Sequence, residues 1–250
     1  MGLKESGLRG SLRSVSTGVT DIPDSEADQK LAHRWVLDDV NGTVEDRAGS
    51  ADGANNGVTS VSGDFAGGSA GDGDGTDDHI NAGVIDPSDY IQTSATAFSI
   101  KTTDGSSKWI YGVLNSDRRR YWDCGLGVSD ASEGELWFRW RDSNERRLRM
   151  YTDGTTLDDG SPHRVVINAD GLSSPSDVSC YIDQNEVPLT VQDDETPLDS
   201  WNSFDRDFVF YARNPFGSID DHIDAIIDDF CIFDDSLTDT EAESYINPWS

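Results

Sequence analysis

Short runs in which apolar and polar residues alternate recur along the sequence from Leu31 onward. Alternation with a period of two predicts β-strands with one buried face, because successive side chains of a strand point to opposite sides. Turn-forming pairs such as Asn41-Gly42 and Asp153-Gly154 separate the runs. We predict strands at 31–37, 78–84, 96–102, 108–114, 121–128, 135–141, 146–152, 163–169, 178–183, 207–212 and 225–233. Many short strands without a βαβ rhythm predict an all-β fold, an antiparallel β-sandwich or jelly roll.

The C-terminal part of the chain combines an apolar strand with a short helix. The strand segment IDAIIDDFCIF carries the adjacent carboxylates Asp228 and Asp229. Thr238 and Glu241 stand three residues apart, which is the spacing of a capping box at a helix N-terminus. We therefore expect a last strand closed by a short C-terminal helix that starts at Thr238.

Residues 1–30 differ in composition from the rest of the chain. They are rich in glycine and serine, and the first twenty carry Lys4, Arg9 and Arg13 against Glu5. Two interpretations stay open: a disordered tail, or an extended basic arm whose cations anchor it on a larger assembly. We therefore divide the chain into an arm, residues 1–30, and one β domain, residues 31–250.

The charge of the chain indicates the kind of solution in which the protein works. The formal net charge is −29, and the acidic residues are mostly aspartate, with 38 Asp, 10 Glu and only 4 Lys. Seven Trp, seven Tyr and nine Phe argue against an acidic disordered protein. A surface adapted to concentrated salt is the favoured interpretation, because a Debye length of about 3 Å at 1 M salt screens the repulsion. The alternative is a surface that binds cations. Nucleic acid is not an expected partner, since the excess acidity repels phosphates.

The cysteines indicate neither a zinc site nor a disulfide framework, and the hydropathy of the chain indicates no membrane-spanning segment. Cys124, Cys180 and Cys231 are widely spaced and form no CxxC pair, so we expect them to pack in the core. No run of 18 apolar residues and no apolar signal core occur, so neither membrane insertion nor a cleaved signal peptide is expected.

Seven motifs occur in an order that resembles the laminin-G-like, concanavalin-A-like jelly-roll superfamily. They are Trp35 with Leu37-Asp38, then VEDRAG at 44–49, GDGTDDHI at 73–80, FSI at 98–100, HRVVI at 163–167, VSCYIDQNEV at 178–187, and IDDFCIF at 227–233 followed by Leu237, Thr238 and Glu241. The chain departs from the pattern at Thr103 and Pro162, where the family often has Trp, and at Gln184-Asn185 in place of a glycine turn. The resemblance implies a jelly roll, but the superfamily includes lectins, hydrolases and adhesion modules, so it leaves the ligand open.

Catalysis is not expected. The hydrolases of the superfamily carry Glu-x-Asp-x-(x)-Glu on one strand, and retaining glycosidases need two carboxyl groups about 5–5.5 Å apart. No such run exists here, and the nearest acidic pair is Glu133-Gly134-Glu135. The four histidines show no HExxH spacing, and no GxSxG turn is present.

The resemblance also implies a structural calcium ion that ties an early turn to the last strand. Asp46, Asp228 and Asp229 stand at the matching positions, and calcium takes six to eight oxygen ligands. The alternative is that these are ordinary solvated aspartates on an acidic surface. The segment from Asp72 to Asp77 is no EF-hand, because Gly83 stands where the loop needs its final glutamate. We expect Asp78 to act in turn formation.

Arginine is concentrated between residues 118 and 149. In the segment WFRWRDSNERRLRM, a hairpin turn at 142–145 would place Arg139, Arg141, Arg147 and Arg149 on one face as a cross-strand set. Like charges opposed across a sheet need neutralisation. We favour neutralisation by the protein's own carboxylates, and the alternative is a docking face for an acidic partner such as a second copy.

The function expected from these observations is non-enzymatic. The leading hypothesis is a virion structural or adhesion protein of a haloarchaeal tailed virus, as a capsid decoration, turret or tail fibre. It would be made in the host cytoplasm, dock through its arm on other virion proteins, and face outward from the virion surface in high salt. The alternative is a lectin-like domain that recognises host surface glycans, for which Trp201, Asn202 and Phe204 are the loop candidates. Trp201 could equally plug the edge of the sandwich.

Overall fold

The computed structural model describes residues 26–62, 65, 68–116, 119–213 and 219–245. Lys4, Arg9 and Arg13 of the predicted arm therefore lie outside the described residues. In chain order the strands are β1 (Leu31–Trp35), β2 (Thr43–Val44), β3 (Gly53–Asn56), β4 (Thr59–Ser62), β5 (Ser69–Asp74), β6 (His79–Val84), β7 (Ala95–Thr102), β8 (Lys108–Leu114), β9 (Tyr121–Leu126), β10 (Glu135–Arg141), β11 (Arg147–Thr156), β12 (His163–Ala169), β13 (Val178–Ile182), β14 (Asn185–Glu186), β15 (Leu189–Asp194), β16 (Asp207–Phe210) and β17 (Asp224–Phe233).

Helices contribute little to the fold. Within the described ranges, four 3-10 helices span Glu26–Lys30, Pro87–Asp89, Ile91–Thr93 and Pro175–Asp177, and one α-helix, α1, spans Asp239–Tyr245. Thr238 and Glu241 form the predicted capping box: the Thr238 N–H donates to Glu241 Oε2 at 2.7 Å, and the Glu241 N–H donates to Thr238 Oγ1 at 3.3 Å. None of the helices in the described residues combines the length and hydrophobicity that crossing a membrane requires.

The strands form two antiparallel sheets that pack face to face as a β-sandwich. The first sheet has the order β14-β13-β12-β7-β17-β5-β4, with β1 paired to β17, and the second has the order β15-β11-β10-β9-β8-β16-β6-β3-β2. Their inner faces bury a cluster of aromatic rings: the Phe230 ring lies 4.5 Å from Phe210 and 5.1 Å from Tyr111, centre to centre. Such burial of large rings provides most of the folding energy of a sandwich. The predicted fold class is confirmed.

The outer face of the first sheet is covered. Ala27, Val166, Phe233, Ala242 and Tyr245 form a second apolar cluster there, between the sheet, α1 and the 3-10 helix Glu26–Lys30. An ion pair between Lys30 Nζ and Glu241 Oε2, 2.9 Å long, joins the two helices. The last five residues of the predicted arm are therefore a helix packed on the sandwich, not an extended segment.

The last strand contains a β-bulge between Asp228 and Cys231. Asp229 has a left-handed backbone with φ of 49°, and the extra residue shifts the alternation by one position. For this reason Ile227 before the bulge and Phe230 after it both face the inner core, although they are three residues apart. The three cysteines are buried and free, as expected for core packing.

Candidate functional site

The arginine-rich hairpin has the register that the sequence predicts. Arg139 stands opposite Arg149, and Arg141 stands opposite Arg147, on β10 and β11. The turn is fixed by Asp142, a fully buried carboxylate that accepts hydrogen bonds from the N–H groups of Asn144 (2.9 Å) and Arg146 (3.0 Å). Because a turn of this kind sets the pairing register, it also determines which side chains share the outer face.

Carboxylates of the same chain lie beside every arginine of this set. Arg141 pairs with Glu145 at 3.1 Å, Arg147 pairs with Asp193 at 3.0 Å, and Arg149 also pairs with Asp193. The Arg139 Nε donates to Asp123 Oδ1 at 3.0 Å, and its Nη2 bonds the other carboxylate oxygen. This pairing is the internal neutralisation that the sequence favoured. Docking of a partner on the four arginines stays a prediction.

A groove of about 370 Å³ lies on this outer face of the second sheet, and we refer to it as the outer groove. Its lining combines two indole rings, three guanidinium groups, one carboxylate and two hydroxyl groups. The lining residues are Ser107, Trp109, Val128, Ser129, Trp137, Arg139, Arg149, Arg213 and Asp221. This mixture of flat rings and directional polar groups is typical of binding sites for small polar ligands.

Arg139 is held rigidly at the floor of the outer groove. Its guanidinium carbon lies 4.0 Å from the centre of the Tyr121 ring and 5.2 Å from that of Trp137, which is cation–π range. Its partner Asp123 is fully buried. Burial raises the pKa of the Asp123 carboxyl, and Arg139 opposes the rise. Gly112 makes room for this arrangement, since a Cβ there would lie 3.0 Å from the Asp123 Cβ.

The sides of the outer groove are built by long-range contacts. The Arg213 guanidinium lies 4.3 Å from the centre of the Trp109 ring, and its Nε donates to Asp221 Oδ2 at 2.9 Å. Trp109 meets Trp137 edge to face at 5.3 Å. Gln192 accepts a hydrogen bond from Trp137 Nε1 at 2.9 Å. Guanidinium groups thus cover the faces of both indoles, and a ligand in the groove meets the guanidinium groups first.

The charges around Arg149 are crowded. Partial burial lowers the pKa of Arg149, and so does repulsion from the neighbouring guanidinium groups of Arg147 and Arg139. Asp193 is shared between Arg147 and Arg149. Arg147 has a second carboxylate partner, Glu195, at 3.9 Å, so two guanidinium groups and two carboxylates lie side by side here.

Asp46, one of the residues proposed for calcium, does not fit that ion. Both oxygens of the Asp46 carboxylate accept hydrogen bonds from N–H groups: Oδ1 from Arg34 (3.0 Å), Ala48 (3.2 Å) and Gly49 (2.8 Å), and Oδ2 from Ala51 (3.0 Å). His33 Nδ1 also lies 2.6 Å from Oδ2. Burial raises the pKa of Asp46, but the hydrogen bonds from His33 and the backbone N–H groups lower it by more, so the pKa lies below its ordinary value. Hydrogen-bond donors thus occupy the places of a cation.

Arg34 provides the link that calcium was expected to make. Its backbone N–H donates to Asp46, and its Nε donates to Asp229 Oδ1 at 2.8 Å. Arg164 approaches the other oxygen of Asp229 at 3.2 Å. A dication beside two guanidinium groups would be repelled, so the carboxylates of Asp46 and Asp229 do not fit calcium, and calcium at Asp228 stays a prediction. Arg34 itself ties the early turn to β17.

One other acidic cluster occurs among the described residues: carboxylate oxygens of Asp74, Asp77 and Asp78 come within 4.8 Å of one another. Asp74 and Asp77 are exposed. Asp78 Oδ2 accepts a hydrogen bond from the Asp74 N–H at 3.0 Å, and Asp74 Oδ1 accepts one from the Thr76 N–H at 2.8 Å. These contacts are the turn-forming role expected of Asp78.

The loop proposed for glycan binding does not present an aromatic platform. Phe204 is buried in the core, and the Arg120 guanidinium lies over its ring at 6.0 Å. Trp201 is half-buried and packs against the same core, which agrees with a plug at the sandwich edge. Asn202 is exposed, and its N–H donates to Ser143 Oγ at 3.1 Å. Phe204 is therefore not available to stack on a sugar.

Glu133 and Glu135 are the acidic pair that comes closest to the hydrolase pattern, and Glu135 has a structural role. Glu135 is buried, and its two carboxylate oxygens accept hydrogen bonds from the N–H groups of Gly154 (2.9 Å) and Ser132 (2.7 Å). Glu133 lies in the turn before β10. A carboxylate saturated by backbone donors is a poor nucleophile or proton donor.

Solved structures match this fold, whereas no protein-family model and no curated protein matches the sequence. The binding domain of Paraclostridial Mosquitocidal Protein 1 matches with a TM-score of 0.61 at 14% identity over 89% of this chain and 53% of that chain. The binding domain of botulinum neurotoxin serotype D/C gives 0.63 at 14% identity, with 90% and 53% covered. The chain thus spans about half the length of these toxin domains.

A third structure matches over nearly its whole length. Domain 4 of AbnA, an extracellular arabinanase from Geobacillus stearothermophilus, has a TM-score of 0.61 at 16% identity over 87% of this chain and 98% of that domain. Its structure was determined in complex with arabinotriose. The structural neighbours are β-sandwich binding domains, and at these identities the likeness shows the fold alone.

Proposed function

We propose that this chain is a non-catalytic binding module that recognises glycans in the outer groove. The observation that carries the proposal is the lining of that groove, where Trp109 and Trp137 lie beside the Arg213–Asp221 pair. Sugars offer paired hydroxyl groups that match the spaced donors of a guanidinium and the acceptors of a carboxylate. The buried indoles of Trp109 and Trp137 lie beneath the guanidinium groups and hold those groups in place for a ligand.

The size and position of the outer groove support the proposal. A volume of about 370 Å³ falls in the usual range of ligand sites and admits one or two sugar rings. The groove lies on the sheet opposite the one that α1 covers. The co-crystallised arabinotriose of the arabinanase domain gives support by analogy of fold, which is weaker than the support from the lining.

A glycan array probed in concentrated salt tests this function. Arg213→Ala and Asp221→Asn remove the two halves of a pair at the rim, where an ion pair adds little to folding stability. We expect both variants to bind the preferred glycan at least about tenfold more weakly. Arg119→Gln is the matched control, because Arg119 is exposed and is not part of the lining. Wild-type protein that binds no glycan, or variants that bind as tightly as wild type, would reject the outer groove as a glycan site.

The second candidate concerns where this binding takes place. A net charge of −29, with 38 Asp and 4 Lys, favours work in concentrated salt, and Lys4, Arg9 and Arg13 favour attachment to an acidic assembly. Both fit an adhesion protein on the surface of a haloarchaeal virus, held by other virion proteins or by copies of itself. Mass spectrometry of purified halophilic virions tests this. Absence of the chain from the particles would eliminate the virion role and leave the glycan proposal standing.

A further inference from the structure

The lining of the outer groove holds more cationic than anionic side chains, although the chain as a whole is strongly acidic. Its lining contains three guanidinium groups, those of Arg139, Arg149 and Arg213, and one carboxylate, that of Asp221. The complete chain carries a formal charge of −29. Each of these guanidinium groups already has a carboxylate partner, so the groove would hold an acidic ligand through the converging arginine donors rather than through a net positive charge.

The stability of the sheet does not require the buried carboxylate of Asp123, the partner of Arg139. Asp123 is completely buried beneath Arg139, and removing a carboxylate from water costs more than a surface ion pair returns. Apolar residues of similar volume would stabilise the sheet at least as well. What the pair does provide is a guanidinium held in one orientation by two hydrogen bonds and by the Tyr121 ring. Such preorganisation lowers the entropy cost of binding.

Donors remain available on the groove arginines. Arg139 uses Nε and Nη2 on Asp123, and Arg149 uses Nε and Nη2 on Asp193. Among the described residues, the bonds of Arg139 to Asp123 and of Arg149 to Asp193 use Nε and Nη2 and leave both Nη1 groups unused. Partial burial lowers the pKa of Arg149, and so does repulsion from Arg147 and Arg139, so an anion bound between these guanidinium groups would relieve a charge conflict that a neutral ligand would leave in place.

We infer that the outer groove selects acidic glycans, binding a carboxylate or sulfate group of the sugar with Arg139, Arg149 and Arg213. The inference rests on the proposed glycan function and adds the class of sugar. Both groups present two or three oxygens to a guanidinium fork, which is the recognition that arginine performs best. A long polyanion such as a nucleic acid is disfavoured, because the acidic surface around the groove repels its other charges.

Two matched pairs of ligands test the charge requirement. The first pair is trigalacturonate and its methyl ester, which share one skeleton and differ in charge. The second pair is a sulfated trisaccharide and its desulfated form, so the two pairs also distinguish carboxylate from sulfate. Affinity is measured by calorimetry at the lowest salt concentration that preserves the native near-ultraviolet spectrum. We expect the charged member of at least one pair to bind about tenfold or more tightly than the neutral member, with an affinity that falls as salt is added.

Variants then locate the effect. Arg149→Gln should abolish the preference for the charged ligand, whereas Arg119→Gln, with the same change of charge outside the groove, should keep it. Arg139→Met alone would leave Asp123 buried without a partner and could unfold the sheet. The double variant Asp123→Leu with Arg139→Met avoids this, and we expect it to be folded and to lose the preference as well.

The outcomes distinguish the acidic-glycan inference from the glycan function on which it rests. Equal binding of the charged and neutral members of both pairs, or a preference that survives Arg149→Gln and the double variant, would refute the acidic-glycan inference. In the first case the glycan function itself would stand. Failure of both pairs together with binding of a neutral glycan on the array would again refute the inference alone, whereas no binding of any glycan would overturn both.

Discussion

Asp228 and Asp229 are neighbours on β17, yet their carboxylates have opposite surroundings. Asp228 Oδ1 accepts hydrogen bonds from the N–H groups of Leu37 (3.2 Å) and Asp229 (2.7 Å), and burial with the nearby Asp229 charge raises its pKa to about 6. Burial also raises the pKa of Asp229, but Arg164 and Arg34 more than reverse this, so its pKa is lowered. The bulge at Asp229 produces the difference, because it turns that side chain toward the arginines.

The first prediction is that Asp228→Asn stabilises the protein at pH 7. A folded-state pKa of about 6, above the ordinary 3.8, means that the folded protein prefers the protonated carboxyl. The contribution of Asp228 is therefore fully present below pH 3.8 and is lost as the pH rises through about 6. Asparagine keeps the acceptor oxygen without the charge. We expect a gain of about 1–3 kcal/mol at pH 7.

Denaturant unfolding of both proteins between pH 4 and 7 measures this effect. The difference in the free energy of unfolding between variant and wild type should grow as the pH rises. A difference that stays constant over this range would show that Asp228 keeps an ordinary pKa.

The second prediction is that Asp229→Asn destabilises the protein strongly. The substitution removes the charge of the carboxylate that the guanidinium groups of Arg34 and Arg164 share, and Arg164 is buried. Removing one partner of a buried ion pair costs about 3–5 kcal/mol. Thermal and denaturant unfolding measure the loss. Glu145→Gln is the control, since it breaks exposed pairs and should cost less than about 1 kcal/mol; equal losses in both variants would contradict the buried network.

The third prediction concerns His163, whose Nδ1 lies 2.7 Å from Asp183 Oδ2 and whose Nε2 lies 3.1 Å from Asp159 Oδ1. Hydrogen bonding to Asp183 raises its pKa above the ordinary 6.5, although partial burial opposes the rise. The stability it contributes is present below pH 6.5 and is lost as the pH rises through the higher folded-state pKa. Melting temperatures from pH 6 to 9 should fall more in wild type than in His163→Gln. Parallel curves would eliminate the proposed coupling.

The fourth prediction is that diluting salt destabilises the protein and that calcium does not restore it. At −29, self-repulsion grows when the Debye length rises from about 3 Å at 1 M to about 10 Å at 0.1 M salt. The melting temperature should therefore fall on dilution of sodium chloride. Millimolar calcium and magnesium should act alike, because Asp46 and Asp229 are occupied by hydrogen-bond donors. A rise produced by calcium alone would reinstate the metal site.

The sequence predicts strands correctly where both the apolar–polar alternation and the flanking turns are present. Strands were predicted with the observed bounds at 108–114, 135–141 and 163–169, because alternation and flanking turns agree there. The capping box at Thr238 and the arginine register follow from fixed local spacing. Short strands such as Thr43–Val44 and Asn185–Glu186 were missed, since two residues carry no period and pair only because a longer neighbour is present.

The outer groove was not predicted, for two physical reasons. An irregularity between Trp109 and Tyr111 in β8 breaks the alternation, so the pattern does not show that Trp109 faces outward. The contacts of Arg139 with Asp123 and of Arg213 with Trp109 also join residues far apart in sequence, and no local spacing indicates them. The register of the arginine-rich hairpin was predicted correctly. Calcium was inferred from the resemblance, whereas the link that Arg34 makes between the early turn and β17 could only be recognised once β1 lay beside β17.

The covered face of the first sheet determines how the module can be displayed. The chain runs onto that face through the helix containing Ala27 and finishes its last helix there at Tyr245, whereas the outer groove belongs to the opposite sheet. A support that contacts α1 or the 3-10 helix Glu26–Lys30 would therefore sit behind the sandwich. The groove would point away from that support without a long spacer, so a dense array of such modules could be packed side by side with every groove open to the medium.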